Sequence, residues 1–360
     1  MVLHIALELD GAGAHPGAAS ATSVPVERLV SADHLRRTVA AAENAGVTFV
    51  TFDDALLGPA RVDAVTRAAF VAPLTSHIGL VPLAHPAVTE PFHLASQVAA
   101  LDHAATGRSG WLVGSGPVPG SRAALDRPVA EGQDLLDETA DVVRVVRDLW
   151  DSWDDDAVIR DTATGRYIDR DRLHYVDFVS GGTGPIAGPG LRDAPDGIRA
   201  PFTVKGPLIV PRGPQGQPVV VARAGTAPSD LVDIALVDAP ETSAAARTFL
   251  DLHVTLDTSG ASAADRLAAL DDIASRGDGL RWTGSADGLV ELLLSLQGAV
   301  DGVRLLPSVL EEDLPQLVRH VLPALRVARA TPTPRPGATL RDTLGLPRPT
   351  SRFATLQETP

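Results

Sequence analysis

Cysteine is absent from this chain of 360 residues. Without a thiol, the protein can form neither a disulfide nor a thiolate metal site, and it has no cysteine nucleophile. A chain that lacks disulfides is compatible with a reducing compartment, so we expect a cytoplasmic protein.

Basic residues are scarce relative to acidic ones. The sequence has 31 Lys and Arg against 45 Asp and Glu, which gives a formal net charge of −14. Nucleic-acid binding depends on clustered positive charge, so this balance argues against a nucleic-acid partner.

Long apolar runs are absent too. No stretch reaches the roughly 20 apolar residues of a spanning helix, and the N-terminus has neither a basic segment nor a cleavage site. We therefore expect no membrane partner. No pair of histidines has a metal-ligand spacing such as H-E-x-x-H, so we predict no metal site.

What the chain does contain is a repeated alternation of short apolar runs and longer segments of helical period. Apolar residues make up 44% of the composition, enough to bury a large core. The segment that begins at Ser31 or Asp33 and stops at Gly46 is a typical capped helix. The predicted strands are eight: 3–9, 48–54, 77–85, 109–116, 217–225, 231–240, 250–259 and 302–309.

Eight parallel strands separated by helices favour a closed α/β barrel, a (β/α)8 TIM barrel, over an open doubly wound sheet. No G-x-G-x-x-G fingerprint follows the first strand, which weakens the dinucleotide-binding alternative. We predict one domain over residues 1–330, with an irregular insertion at about 154–216 before strand five. A Pro-rich C-terminal extension spans residues 331–360, and it either packs on a neighbouring subunit or is flexible.

Ligand-binding groups of such a barrel lie where the strands end, at its C-terminal mouth. The second predicted strand ends at Asp53 and Asp54, the third at His85, and the fourth at Ser115. The fifth ends in the run from Arg223 to Thr226. These positions are the candidate site.

Several motifs resemble one known family. They are "FVTFDDAL" at 49–56, "TEPFHLASQVAALDHAATGRSGW" at 89–111, "FTVKGPLIVPRGPQGQPVVV" at 202–221 and "LRDTLGLPRP" at 340–349. These runs are similar to the bacterial luciferase-like flavin monooxygenases, in the branch of the nitrilotriacetate, dibenzothiophene-sulfone and pristinamycin monooxygenases. The resemblance covers nearly the whole chain.

The resemblance implies a bacterial oxidoreductase whose barrel mouth binds reduced FMN. A separate NAD(P)H-dependent flavin reductase supplies the FMN, and dioxygen is then used to oxygenate a small organic substrate. The cofactor carries the chemistry, so no catalytic side chain is assigned. The resemblance also implies a homodimer or tetramer.

Individual positions carry over as cofactor contacts. The resemblance places Asp54 beside the isoalloxazine ring, although a cap on the following helix is the other interpretation of this residue. His85 stands where the family has small hydroxyl residues, and it either replaces them as a donor or shapes a His-Pro turn. Ser115 stands where the family has Thr.

The phosphate end of the flavin is expected over the turn after strand five. Arg223, Gly225 and Thr226 form this turn, and glycine lets the backbone approach a ligand closely. A hydroxyl or amide of the turn would then meet the phosphate oxygens.

Other positions depart from the family. Gly132, Leu136 and Glu138 stand where the family has a His, a Tyr and an Arg that contact the flavin. Each lost hydrogen bond to phosphate costs about 1–3 kcal/mol. Two alternatives therefore stay open: a non-catalytic paralogue with weakened flavin binding, and a deazaflavin-dependent oxidoreductase.

Overall fold

A computed structural model describes residues 2–9, 11–54, 62–114, 130–181, 202–275, 277, 279–333 and 335–354. Its centre is a closed ring of eight parallel strands, which confirms the predicted TIM barrel. All eight predicted strands belong to the ring, and the pairing of the first with the last closes it. In ring order the strands are β1 (His4–Glu8), β2 (Phe49–Phe52), β3 (Gly79–Ala84), β4 (Gly110–Val113), β9 (Val219–Arg223), β10 (Ile234–Val237), β11 (Arg247–Leu256) and β13 (Gly302–Pro307).

Buried strands of this kind are apolar on both faces, because one face fills the barrel and the other packs under helices. Ala6, Phe49 and Phe249 belong to the cluster inside the barrel. Their neighbours Leu7 and Val50 belong to the cluster between the strands and the helices. Strand parity therefore identifies which side chains enter the mouth.

The helices form an outer layer that is incomplete. Ser31 caps α3 by accepting from the His34 backbone N–H, and Gly46 ends that helix with φ 84°, both as predicted. After β9 a three-residue 3-10 turn, Ser229–Leu231, takes the place of a helix, and the connection from β10 to β11 has none either. The α-helices of the described residues are α1 (Ala18–Ala21), α2 (Val26–Leu29), α3 (Ala32–Ala45), α4 (Ala64–Val71), α5 (Pro91–Ala104), α6 (Gly132–Trp150), α7 (Ala263–Ile273), α8 (Ala286–Ser295), α9 (Leu310–Gln316), α10 (Leu322–Val327) and α11 (Leu340–Leu344).

The described part of the insertion contains two small antiparallel pairs. β5 (Val158–Asp161) pairs with β6 (Arg166–Ile168), and β7 (Asp177–Val179) pairs with β8 (Thr203–Lys205). The insertion is thus partly regular, although its sequence shows no period.

One strand of the sheet was not predicted. β12 (Arg281–Gly284) pairs with the last residues of β11, from His253 onward. β10 pairs only with the first residues of β11, up to Val237 opposite Leu250. The ring is therefore split on its C-terminal side, between β10 and β12.

The described part of the C-terminal extension packs on its own barrel. Leu340, Leu344 and Leu346 pack into the interior cluster, and Arg341 donates to both carboxylate oxygens of Asp233 at 3.1 and 2.9 Å. Leu340 also lies against Gly79, where β3 begins. Helix α11 therefore closes the N-terminal end of its own barrel. Among the described helices, none is long and apolar enough to cross a membrane.

Candidate functional site

The C-terminal mouth of the barrel is polar. Strand parity turns a set of charged and small residues inward at the strand ends. Each of them except Arg304 lies an even number of positions from a residue of the interior cluster. Arg304 alternates with Val303 and Leu305, which belong to the cluster between the strands and the helices. These inward positions are Glu8, Thr51, Asp53, His85, Gly114, Arg223, Asp238, Asp251 and Arg304.

The floor of the mouth is a buried ion pair. Arg304 donates through Nε and Nη2 to the two carboxylate oxygens of Asp251, at 2.8 and 2.6 Å, and Glu8 Oε2 lies 3.6 Å from Nη1. Burial alone would lower the pKa of Arg304, but the charge and hydrogen bonds of Asp251, together with Glu8, raise it. The guanidinium is therefore permanently charged and fixed in place.

Arg223 links this floor to the rim. Its Nη1 lies 2.5 Å from both carboxylate oxygens of Asp238, and its Nη2 lies 3.6 Å from Asp251 Oδ2. The side chains of Arg223 and Asp238 are 46% and 59% exposed. This outer pair is therefore solvated, unlike the pair below it.

Asp54 and His85 are in contact at the ends of β2 and β3. Asp54 Oδ2 accepts from the Ala64 backbone N–H at 2.9 Å, so the carboxylate does cap the start of α4. His85 Nε2 lies 3.0 Å from the Asp54 carbonyl oxygen. Since a carbonyl only accepts, Nε2 carries the proton of the neutral ring and Nδ1 is left as an acceptor.

Two buried polar atoms of the mouth have no hydrogen-bond partner among the described residues. One is His85 Nδ1, and the other is the hydroxyl of Thr51, whose residue is fully buried. An unsatisfied buried polar atom costs about 1–3 kcal/mol, so such atoms point to a ligand or an ordered water.

The His85 ring packs against Gly114, in space that a side chain at position 114 would fill. A Cβ built on Gly114 would lie 2.3 Å from His85 Nδ1 and 2.8 Å from Cγ. The imidazole therefore occupies the inward space above β4 that any other residue at position 114 would fill.

The turn after β9 has open space beside its glycine. Gly225 has φ 83°, and among the described residues no atom other than those of Gly225 and its chain neighbours lies within 4 Å of the place where its Cβ would be. Thr226 fixes the conformation of the turn, because its backbone N–H and its hydroxyl donate to the Arg223 carbonyl at 3.1 and 2.7 Å.

A cavity of about 300 Å³ adjoins this turn. It is lined by small residues that include Gly225, Ser229 and Ser243. It lies on the outer side of β9 and β10, where the helical layer is incomplete. Leu136, Glu138 and Pro228 do not line it.

A second cavity, of about 220 Å³, lies between α3 and α4. Its lining is mainly apolar and includes Leu35, Phe70 and Leu310, while Arg67 at its edge donates to the Asp53 carbonyl oxygen. No cluster of three or more potential metal ligands occurs in the part of the chain that the structure describes.

The predicted residues form two groups. Asp54 and His85 lie together at β2 and β3, while Arg223, Gly225 and Thr226 lie together at β9, with β4 between the groups. Ser115 lies outside the described residues. The Arg304–Asp251 pair was not predicted, and the signal for it was a charged residue inside each of two apolar strands.

Comparisons with known proteins agree on the family. Residues 9–186 match the model of the luciferase-like monooxygenases. A pristinamycin IIA synthase component from Streptomyces pristinaespiralis is 33% identical over 323 residues, which cover 89% of this chain and 91% of that protein. Nitrilotriacetate monooxygenase component A of Aminobacter aminovorans is 33% identical over 180 residues, but these cover 49% of this chain and 35% of that protein.

Solved structures share the fold at low identity. A long-chain alkane monooxygenase superposes with a TM-score of 0.76 at 16% identity, covering 96% of each chain. Two F420-dependent enzymes have TM-scores of 0.54 and 0.58 at 13% and 14% identity.

Proposed function

The chain belongs to the luciferase-like monooxygenase family, and on that premise we propose that it is an FMN-dependent, two-component monooxygenase. A separate NAD(P)H-dependent reductase supplies reduced FMN, and dioxygen oxygenates a small organic substrate in the bacterial cytoplasm. The observation that carries this proposal is the relative that is 33% identical over 89% of the chain.

The mouth of the barrel fits the ring end of a flavin. A flavin ring presents N–H and carbonyl groups at its edge, and the unpartnered His85 Nδ1 and Thr51 hydroxyl supply an acceptor and a donor. The described mouth residues also include the rigid Arg304–Asp251 floor, which sets how deep a ring can enter.

The turn after β9 fits the phosphate end. Gly225 leaves its backbone open to approach, and Ser229 adds a hydroxyl beside the cavity. In this proposal Thr226 fixes the conformation of the turn, and Arg223 supplies the positive charge that attracts the phosphate.

When bound, the reduced flavin supplies the electrons that activate dioxygen. The chain then has three tasks: His85 orients the ring edge, the Arg223 turn holds the phosphate, and the mouth excludes water. Asp54 acts through His85, because its carbonyl fixes which ring nitrogen accepts.

We also propose that the protein is a homo-oligomer. Val30, Val62 and Phe70 are exposed apolar side chains that line the cavity between α3 and α4. Exposed apolar residues grouped in this way are typical of an interaction surface.

The test is titration of the purified protein with oxidised FMN, by flavin fluorescence, and with reduced FMN under anaerobic conditions. We expect micromolar binding that His85→Gln weakens, with His320→Gln as the matched exposed control. Absence of binding of both forms at high micromolar flavin would contradict the proposal.

Two alternative functions predict different experimental results. The substitutions at Leu136 and Glu138, and the engagement of Arg223 by Asp238, favour weakened flavin binding in a non-catalytic paralogue. Substrate-dependent oxygen uptake with an added reductase would exclude that function. A parallel titration with the deazaflavin F420 separates the deazaflavin-dependent alternative, which the shared fold supports.

A further inference from the structure

Arg223 is the charged side chain next to the open turn at Gly225, yet its guanidinium is occupied. Arg223 is the last residue of β9, and its register partner on β10 is Leu236. Asp238 lies two residues beyond Leu236 on the same inward face. It therefore reaches Arg223 diagonally across the strands, with Nη1 2.5 Å from both carboxylate oxygens.

The two carboxylates near Arg223 differ in how easily their contact with Arg223 can be broken. Asp251 is 3% exposed and bound through both oxygens to Arg304, so it is a fixed neighbour of Arg223. Asp238 is 59% exposed. Solvent already stabilises a carboxylate that is this exposed, so releasing Arg223 costs Asp238 little.

The wall beside this pair is open. β10 stops pairing with β11 at Val237, and β12 starts to pair at His253, so Asp238 stands at the split of the ring. Arg223 faces the mouth from the neighbouring strand β9, so a ligand in the mouth that extends towards β10 can reach it. Gly225, in the turn that follows β9, adds no side chain next to Arg223.

From this geometry we propose that Arg223 is the receptor for the ligand's phosphate, and that Asp238 is an internal carboxylate that occupies it and must be displaced. This inference rests on the proposed function, because it assumes a phosphate-bearing ligand in the mouth. A phosphate with two negative charges outcompetes a single carboxylate for a guanidinium. Asp238 therefore lowers the affinity of the free protein for that ligand and favours dianionic groups over carboxylates.

The test is a double-mutant cycle read by equilibrium binding of FMN and of riboflavin, which lacks the phosphate. Asp238→Asn should tighten FMN binding about two- to fivefold, the factor that an exposed ion pair allows, and leave riboflavin unchanged. Arg223→Gln should weaken FMN binding, and adding Asp238→Asn to it should then have no effect.

Asp230→Asn is the matched control, because Asp230 is an exposed acid in the 3-10 turn after β9. It removes the same charge without touching Arg223, so an equal gain in FMN affinity would attribute the effect to the general field and overturn the proposal. Thermal melts of each variant verify that it is folded.

The remaining outcomes separate this inference from the proposed function. If the wild type binds FMN more tightly than riboflavin and Asp238→Asn changes nothing, the inference is wrong and the proposed function stands. If no variant binds either flavin, both are wrong.

Discussion

The packing of His85 against Gly114 predicts a large effect from one methyl group. In Gly114→Ala the new Cβ would lie 2.3 Å from His85 Nδ1, a distance that no real pair of such atoms tolerates. Gly114 lies outside the left-handed region, so alanine introduces no backbone strain. The ring must therefore move, and its bond to the Asp54 carbonyl breaks.

The magnitude follows from two effects. Overpacking of one methyl group costs about 1–3 kcal/mol, and the lost hydrogen bond costs about 0.5–1.5 kcal/mol. Relief of the unpartnered Nδ1 offsets part of this, because a displaced ring can reach water. We expect the free energy of unfolding to fall by about 1–3 kcal/mol.

The assay is urea denaturation at constant pH, with flavin binding measured in parallel. The control is the double variant His85→Ala with Gly114→Ala, in which the new methyl group has room. It should be more stable than Gly114→Ala alone, a non-additivity that identifies the contact. The reasoning is refuted if Gly114→Ala is as stable as the wild type, or if the double variant is no better than the single one.

Three further perturbations test the core that supports the mouth. Asp251→Asn leaves the Arg304 charge buried without its carboxylate, so urea denaturation should show a loss of about 3–5 kcal/mol. Burial, and then Arg247, lower the pKa of His4 to about 4, so the folded state resists protonation. Stability should therefore fall by about 3 kcal/mol as the pH drops from 6.5 to 4, and the wild type should lose more than His4→Gln does. Leu340→Ala should cost about 2–5 kcal/mol in a thermal or urea melt, whereas Leu74→Ala, on an exposed side chain, should cost almost nothing.

The barrel strands could be predicted because each is a compact apolar run between turn residues. β12 could not, since the four residues from Arg281 to Gly284 show no apolar alternation and become a strand only by pairing with β11. The packing of helix α11 against the N-terminal end of the barrel was not predicted, for a similar reason. Leu340 and Leu344 are one helical turn apart in a Pro-rich tail, too short a pattern to show that the helix closes a barrel.

The sequence predicted which candidate residues lie at strand ends, but not which side chains they contact. The strand-end rule located Asp54, His85 and Arg223, because it depends only on the direction of each strand. Their partners are different: Asp251 and Arg304 are 53 residues apart in the chain, and His85 and Gly114 are 29 apart. Such pairings depend on ring order and register, which local sequence patterns do not contain.

Two of those pairings join residues on neighbouring strands of the mouth. His85 is a large residue at the end of β3, and Gly114 on the next strand leaves the volume that it needs. Arg223 brings a charge to the rim, and Asp238 on the next strand neutralises it. Replacing Gly114 alone creates a clash with the His85 ring, and replacing Asp238 alone removes a carboxylate from Arg223, so these positions are coupled across strands. Replacing both members of such a pair should therefore give an effect that differs from the sum of the two single replacements, which a double-mutant cycle measures as a coupling free energy.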